Sequence, residues 1–491
     1  MLMAAVGAQA YEGPMFPATV WRGETAYVRI PPKFVGEIGC VVSEKLPKGL
    51  SVGLYARELR KYAVRPESAH VGFRYDGVRD CGRELSAGKV VAPAFCRIQA
   101  EESLKAGKYV FGPLELTVLD RVLPPPSEWK YLLDLWQHPW AVARYRRVKP
   151  FSPEHYAAME PAWKSLAACG VKVLTTTLIE LPWNHQCYDA YHSMIGRARK
   201  EDGSWAFDYR LFDEYVVFGR RCGIGPGIAC YTMCPWDYVV RWQDEKGEIR
   251  RVKALPGTPE FEDYWGAFLV DFAAHLKAKG WFDDTFIAMD EREPKDVRLV
   301  ADFIQSKVPG FRIAMAGNRK PSEFAGIAID SYSQYLGDMT DSFLAELKDR
   351  REKGFKTTFY VCCNPERPNT FMTSEDDEAF WLGAYPALVG LDGFLRWAAN
   401  SWPCDPYEDA AFGRWTPGDS FLIYPDGTPS TRLIALRAGV IAAEKMRLVN
   451  ADGALDAELK DFNEKYSFGK ALKGSFDFGE CRREIEAHVN R

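Results

Sequence analysis

The sequence predicts a β-rich N-terminal region, a (β/α)8 barrel of the TIM type and a short helical C-terminal extension. Three observations carry this. Residues 11–122 hold short β-prone runs such as Thr25-Ala26-Tyr27-Val28-Arg29-Ile30 and Leu114-Glu115-Leu116-Thr117-Val118-Leu119, punctuated by Gly and Pro, the texture of a β-sandwich. Leu123-Pro124-Pro125-Pro126 reads as a stiff linker. Beyond it, residues 127–450 alternate apolar strand-like runs with amphipathic helical stretches, and residues 451–491 are charged and helical in pattern.

Taken in order, the expected strands of the barrel are 132–136, 171–178, 224–232, 286–290, 312–316, 326–330, 356–362 and 393–397. A buried parallel strand reads as a near-continuous apolar run, and each of these does for most of its length. The expected helices are 153–166, 211–222, 259–279, 296–308, 340–353, 375–388 and 431–448. Ser152 is a natural N-cap with Pro153 at the first helical position, and Gly170 stops that helix.

Composition narrows the function. The formal net charge is -4, without a strongly basic stretch, which argues against nucleic acid as partner. No apolar run reaches the length of a membrane span of about 18 residues. The twelve Cys have no paired CxxC spacing and, with the seven His, no metal-ligand spacing. They read as small buried residues, and neither metal nor cofactor is expected. Ala8-Gln9-Ala10 resembles a signal-peptidase site without a basic segment before it. The expectation is an exported protein, periplasmic or extracellular, carrying the tail of a truncated signal peptide, with a frayed N-terminus and a cytoplasmic location as the alternatives.

The chemistry gathers at the strand ends. Phe286-Ile287-Ala288-Met289 runs directly into Asp290 and Glu291. Charge after a strand is often just a solvated loop, but a barrel places its chemistry at the carboxyl ends of its strands. Successive side chains of a strand face opposite ways, so the strand must end or kink for both carboxylates to reach one substrate. The other expected ends bring Trp136 and His138, Trp183, Trp236, Asn318, Asp330 and Tyr332, Tyr360, Trp397, Asn400 and Trp402 to the same face. Aromatic rings stack on the apolar faces of sugars while amides and carboxylates bond their hydroxyls. A glycosidic bond needs a carboxylic acid beside the leaving oxygen, and either a second carboxylate or a nucleophile within the substrate. Glu180, Asp330 and Asp392 are the distant candidates for that second carboxylate. Asp290 is adjacent to Glu291 and better placed to hold another group of the same sugar, which fits assistance by a 2-acetamido carbonyl.

Several motifs, in order, resemble glycoside hydrolase family 123, the retaining β-N-acetylgalactosaminidases: Ala288-Met289-Asp290-Glu291-Arg292, Trp136-Gln137-His138-Pro139-Trp140, Pro182-Trp183-Asn184, Cys362-Cys363-Asn364, Pro368-Asn369-Thr370-Phe371, Asp392-Gly393-Phe394-Leu395-Arg396-Trp397 and Asn400-Ser401-Trp402. Gly418-Asp419 and Tyr424-Pro425 continue the series. The resemblance spans roughly residues 125–450 and implies Glu291 as general acid/base and Asp290 as the residue orienting the acetamido group. It also implies a glycan or glycolipid ending in N-acetylgalactosamine (GalNAc) as substrate. Asn369 and Arg396, from these motifs, complete the expected substrate-binding set. The chain departs from the pattern at Asn364, Glu366-Arg367 and Glu293, which bears on aglycone preference. Three other readings use the same residues: a carbohydrate-binding protein on a decayed hydrolase scaffold, a β-N-acetylglucosaminidase, and a metal-dependent barrel hydrolase, for which His138 alone is too few ligands.

Overall fold

A computed structural model describes residues 14–31, 34, 46–63, 71–80, 94–413, 415–453, 456–474 and 476–491. The Ala8-Gln9-Ala10 segment lies outside the described residues. Among the described residues, the N-terminal region contains seven strands: β1 (Phe16–Arg22), β2 (Thr25–Ile30), β3 (Leu50–Ala63), β4 (Val71–Asp80), β5 (Ala94–Ala100), β6 (Gly107–Phe111) and β7 (Leu114–Val122). They form a three-stranded sheet, β1-β7-β6, and a four-stranded sheet, β2-β5-β3-β4. Alternation sets their inner faces: Phe16, Ala18 and Val20 of β1 and Leu114, Leu116 and Val118 of β7 share one apolar core with Leu50, Val52 and Leu54 of β3.

After the linker come β8 (Leu132–Leu135), β9 (Val173–Thr177), β10 (Gly196–Arg199), β11 (Trp205–Asp208), β12 (Gly227–Tyr231), β13 (Val239–Gln243), β14 (Ile249–Lys253), β15 (Thr285–Asp290), β16 (Arg312–Gly317), β17 (Ser331–Tyr335), β18 (Lys356–Val361) and β19 (Gly393–Arg396). Eight of them make one parallel sheet in the order β8-β19-β18-β17-β16-β15-β12-β9. The seam between β8 and β9 is short, a bridge from Leu133 to Val171. The Gln137 amide extends it: Nε2 donates to the Val173 carbonyl at 3.1 Å and Oε1 accepts from the Thr175 amide at 2.9 Å. That side chain does what backbone pairing does elsewhere and brings the sheet nearly to a closed barrel. An accessory sheet, β11-β10-β13-β14, grows from the loops after β9 and β12 and was not expected from the sequence.

The helices are α1 (Pro139–Arg146), α2 (Pro153–Ala168), α3 (Arg210–Arg221), α4 (Pro259–Lys279), α5 (Pro294–Lys307), α6 (Asp341–Glu352), α7 (Asp376–Val389), α8 (Thr431–Val449), α9 (Asp456–Tyr466), α10 (Phe468–Ala471) and α11 (Phe478–Val489). The Ser152 side chain caps α2 by accepting from the His155 amide. Gly383 of α7 and Gly439 of α8 let these helices touch: a Cβ would meet the Leu436 carbonyl at 2.5 Å and the Phe380 carbonyl at 2.1 Å, respectively. The C-terminal helices pack back on α7, where the Trp381 indole donates to the Tyr466 carbonyl at 3.1 Å. No helix among the described residues is long and apolar enough to cross a membrane.

One expected strand is displaced. Residues 326–330 form no strand, and β17 occupies Ser331–Tyr335 instead. Its Ser-Tyr-Ser-Gln-Tyr sequence lacks the apolar run that marks a buried strand, because its inward side chains line a polar cavity. The shift has consequences for two expected site residues, Asp330 and Tyr332.

Candidate active site

The six residues of β15 end at Asp290, between the parallel neighbours β12 and β16. Glu291 then takes a left-handed backbone, φ 48°. For a residue with a Cβ this conformation costs about 1–2 kcal/mol. It turns the chain at that point while the Glu291 amide still donates to the Ala316 carbonyl of β16 at 2.8 Å. The kink demanded by two adjacent carboxylates in one pocket is therefore present, and ladder bonding is kept across it.

The Tyr360 hydroxyl, from the end of β18, donates to Glu291 Oε1 at 2.5 Å. Burial, with Glu291 and Asp290 close by, pushes the Tyr360 phenol well above its ordinary range, so it stays a donor. The Tyr335 ring, from β17, tilts against Tyr360 with centroids 5.6 Å apart. Burial first, and then repulsion from Glu291, raise the Asp290 carboxyl well above the usual carboxylate range; Arg292 opposes this weakly. The Trp236 indole sits beside Asp290 and lowers its pKa slightly, but its N–H makes no well-directed hydrogen bond among the described residues.

A third carboxyl, Asp134, shares a near neighbour, Tyr231, with Asp290. Asp134 of β8 stands in register with Leu395 of β19, which pairs in turn with Tyr360. Its Oδ1 is buried without a partner among the described residues, and burial pushes its pKa up to about 7, with the Trp136 indole pulling the other way. Tyr231, at the end of β12, lies near both Asp134 and Asp290, and its burial with these two carboxyls nearby raises its phenol. Trp136 and Trp183 stack at 4.9 Å and both pack on Tyr231, at 4.6 and 5.0 Å. Asp134, Tyr231 and Tyr335 were missed in the sequence. The one available signal was an acidic residue at an inward position of an otherwise apolar strand.

The remaining expected residues divide. Asn318 is exposed just past β16. His138 is fully buried, stacked on Tyr191 at 3.7 Å, with Nε2 on the Asp189 carbonyl, and burial lowers its pKa to about 3. Asn400 clamps the His138 backbone from both sides, accepting at 2.8 Å and donating at 3.0 Å. Arg396 is fully buried in an ion pair with Asp419, which also accepts from the Trp397 indole at 2.9 Å. Asn369 donates to the Cys362 and Pro365 carbonyls and shapes the loop after β18. Tyr332 is turned to the outer side of β17, buried, with its hydroxyl on the Arg319 carbonyl. Apart from the exposed Asn318, these side chains are framework that holds the barrel mouth, each buried and engaged as described. Trp402 belongs with them, 1% exposed, its indole on the Ile423 carbonyl at 2.7 Å. Trp402→Ala is therefore expected to destabilise the fold by about 3–5 kcal/mol, read from the denaturation midpoint.

The distant carboxylates are also accounted for. Asp330 precedes β17 and Asp392 precedes β19, so both lie at the amino-terminal end of the barrel, opposite Glu291. Asp330 accepts from the Ile313 amide at 2.8 Å, and Asp392 from the Thr357 amide at 2.8 Å and from Lys356 at 3.0 Å. Glu180 is held by His192 Nδ1 at 2.8 Å and by the Ser193 amide at 3.1 Å. Among the described residues, no cluster of His, Cys, Asp and Glu is arranged to hold a metal ion.

An eight-stranded parallel barrel with carboxyls and aromatic rings at its carboxyl-end mouth, and a carboxylic acid held by a tyrosine, defines a glycoside hydrolase. Residues 136–449 match the catalytic domain of glycoside hydrolase family 123. The chain belongs to that family. Its fold is similar to that of a family 123 glycoside hydrolase from Clostridium perfringens described for glycolipid glycan hydrolysis: TM-score 0.79 and 20% identity, over 97% of this chain and 94% of that one. A family 39 glycoside hydrolase from Bacteroides cellulosilyticus WH2 is far looser, TM-score 0.38 and 12% identity over 87% of this chain and 82% of that one. No curated protein matches the chain.

Proposed function

We propose that the chain is a retaining, exo-acting β-N-acetylhexosaminidase that removes terminal β-linked GalNAc by substrate-assisted catalysis. The observation that carries this reading is the adjacent Asp290–Glu291 pair, both close to Tyr360 at a left-handed turn of the chain at Glu291, with Asp330 and Asp392 at the far end of the barrel. Glu291 Oε2 gives its proton to the glycosidic oxygen as the bond to the anomeric carbon breaks. The acetamido carbonyl oxygen of the same sugar attacks that carbon and closes an oxazolinium ring. Asp290 accepts the acetamido N–H and faces the positive charge. Glu291, now ionised, takes a proton from water, which opens the ring from the face the aglycone left, so configuration is retained.

The raised pKa of Asp290 fits this role. Burial and the neighbouring Glu291 disfavour its charge, whereas a cationic ring favours it, so the interaction is stronger in the transition state than before it. Asp134 stands on the cavity floor as an acceptor for a sugar hydroxyl. A glycan or glycolipid ending in GalNAc is the substrate class proposed, in keeping with the glycolipid glycan hydrolysis described for the Clostridium protein.

Aryl β-GalNAc and aryl β-GlcNAc assayed side by side, with the product anomer followed by NMR, test the assignment. Faster release from the GalNAc substrate with β-anomer formed first is expected. An α-anomer as first product would exclude the mechanism, and preference for GlcNAc would exclude the specificity. The acid limb of the kcat/KM profile is expected above the ordinary carboxylate range, because activity falls as Asp290, whose pKa is raised, becomes protonated.

A further inference from the structure

Strand β18 runs on from Tyr360 and Val361 into two adjacent cysteines, Cys362 and Cys363. The described cysteines are buried except these two, which are partly exposed, and Cys404, which is exposed. Both are thiols, and their sulfurs lie 3.9 Å apart. The backbone that carries them is pinned. The Cys362 amide donates to the Asn364 carbonyl at 3.0 Å, and the Asn369 side chain donates to the Cys362 carbonyl at 3.0 Å. With the backbone held there, the side chains are the parts left to move.

The two sulfurs are not equivalent. Hydrogen bonding to Cys363 first, and then burial, raise the Cys362 thiol well above its usual range, so it keeps its proton. The Asn364 side-chain amide donates to the Cys363 sulfur at 3.6 Å. Both donors favour charge on Cys363, and the thiolate is the form that attacks a disulfide. The pair also stands beside the group that holds Glu291. Burial, and then Cys362, Asp338, Cys363 and Glu291, raise the Tyr335 phenol, which puts both thiols and the carboxyl around one side chain. Tyr335 in turn tilts against Tyr360, whose hydroxyl donates to Glu291.

We propose that Cys362 and Cys363 are a reversible thiol–disulfide modification site beside Tyr335 and Tyr360, closed by a low-molecular-weight disulfide, and that closing slows hydrolysis. The Cys363 thiolate attacks one sulfur of the reagent. The reagent's S–S bond breaks, and one reagent thiolate leaves and takes up a proton. Cys362 then gives up its proton and attacks the Cys363 sulfur, which expels the second reagent thiolate. Two protein thiols are oxidised, and one reagent disulfide is reduced to two thiols. Closing brings the sulfurs from 3.9 Å to about 2.0 Å. Neighbouring Cα atoms lie about 3.8 Å apart, below the usual disulfide span of about 4.4–6.8 Å, so the bond is strained and readily reduced again. Closing of the pair is independent of the sugar the enzyme cleaves, whereas its effect on rate rests on Glu291 being the acid.

The whole protein is incubated with oxidised glutathione, alkylated and read by peptide mass spectrometry, with Cys404 as the surface-thiol control. The peptide carrying residues 362 and 363 is expected to lose two hydrogens and to escape alkylation. On aryl β-GalNAc, kcat/KM should fall at least about tenfold, because small misplacements of catalytic groups cost that much or more. Dithiothreitol should restore it. Cys362→Ser should trap glutathione on Cys363, while Cys363→Ser should take up none at Cys362 and keep its rate through the treatment. The wild-type mass reading stands whether or not either variant folds. Two alkylated thiols at 362 and 363 after the oxidant would overturn the site. A closed pair with unchanged kcat/KM would overturn its control of turnover. A reduced protein that hydrolyses no aryl glycoside would count against Glu291 as the acid, and the mass reading would still decide the pair.

Discussion

Glu291→Gln is expected to slow hydrolysis of substrates with poor leaving groups by about 10²–10⁴-fold. Gln keeps the size of Glu and can still accept from Tyr360, whose hydroxyl reaches Oε1 in the wild type. It cannot give a proton and take it back. An activated aryl leaving group needs less protonation, so its loss should be smaller in the first step, with slow ring opening becoming limiting. Rates for natural-type and aryl substrates, compared in the one variant, make the check. An equal and small loss for both would remove Glu291 from the acid role. Asp290→Asn should also lose most activity, but with the opposite sign for stability. A carboxyl whose folded pKa is raised binds more protons folded than unfolded, so Asp290 costs stability as pH rises from the unfolded carboxylate value to that raised one, and the loss levels off beyond it. The Asn variant should therefore melt higher than wild type at neutral pH, and the gap should shrink in acid.

The second large effect lies far from the cavity, where the N-terminal region meets the barrel. Asp76 of β4 is fully buried and takes both Arg432 Nε at 2.8 Å and Nη2 at 3.0 Å, with the Tyr424 hydroxyl at 2.7 Å. Arg432 Nη1 also donates to the Thr370, Gly418 and Phe421 carbonyls at 2.7, 2.8 and 2.9 Å. Those loops carry Asp419, the partner of Arg396 and Trp397. A single guanidinium therefore ties the N-terminal region to the frame of the barrel mouth. Asp76→Ala leaves that cation buried without its counter-charge, and a loss of about 3–5 kcal/mol is expected from denaturant unfolding. Burial alone would raise the Asp76 carboxyl, but Arg432 overcomes it and holds the group below the usual range. The stability from a depressed carboxylate is present above the unfolded pKa and lost as pH falls through the folded one. The gap between wild type and variant should then narrow in acid. A variant as stable as wild type at neutral pH would show that the pair contributes nothing net.

The barrel was legible because its strands obey simple rules where they are buried on both sides. Residues 286–290 and 312–316 differ from β15 and β16 by one residue each, and residues 259–279 coincide with α4. The rule fails where a strand serves the cavity. Ser331-Tyr332-Ser333-Gln334-Tyr335 is polar for that reason, and Gly326-Ile327-Ala328-Ile329 looked the better strand. That displacement put Asp330 at the wrong end of the barrel and picked Tyr332 instead of Tyr335. The Asp290–Glu291 pair was visible because charge directly after an apolar run is visible. Asp134 was not, since a single carboxyl inside an apolar strand looks like noise until its neighbours across the barrel are known. Nor can proximity to a strand end separate wall from frame. Trp236 beside Asp290 and Trp402 under the Ile423 loop look alike in the chain, and only burial and partners distinguish them.

The central claim is that Asp290 and Glu291 serve two parts of one sugar whose own acetamido group is the nucleophile. It is tested most directly by a series of aryl 2-acetamido-β-galactosides with none, one, two or three fluorines on the acetyl methyl. Fluorine withdraws electrons from the carbonyl oxygen and leaves the size of the group nearly unchanged. The account predicts that kcat/KM falls steeply with each fluorine, and that the parent β-galactoside, with a hydroxyl at that carbon, is nearly inert. A flat series, with a covalent sugar ester trapped on Asp134 or Asp290, would contradict it and place the chain among ordinary two-carboxylate enzymes.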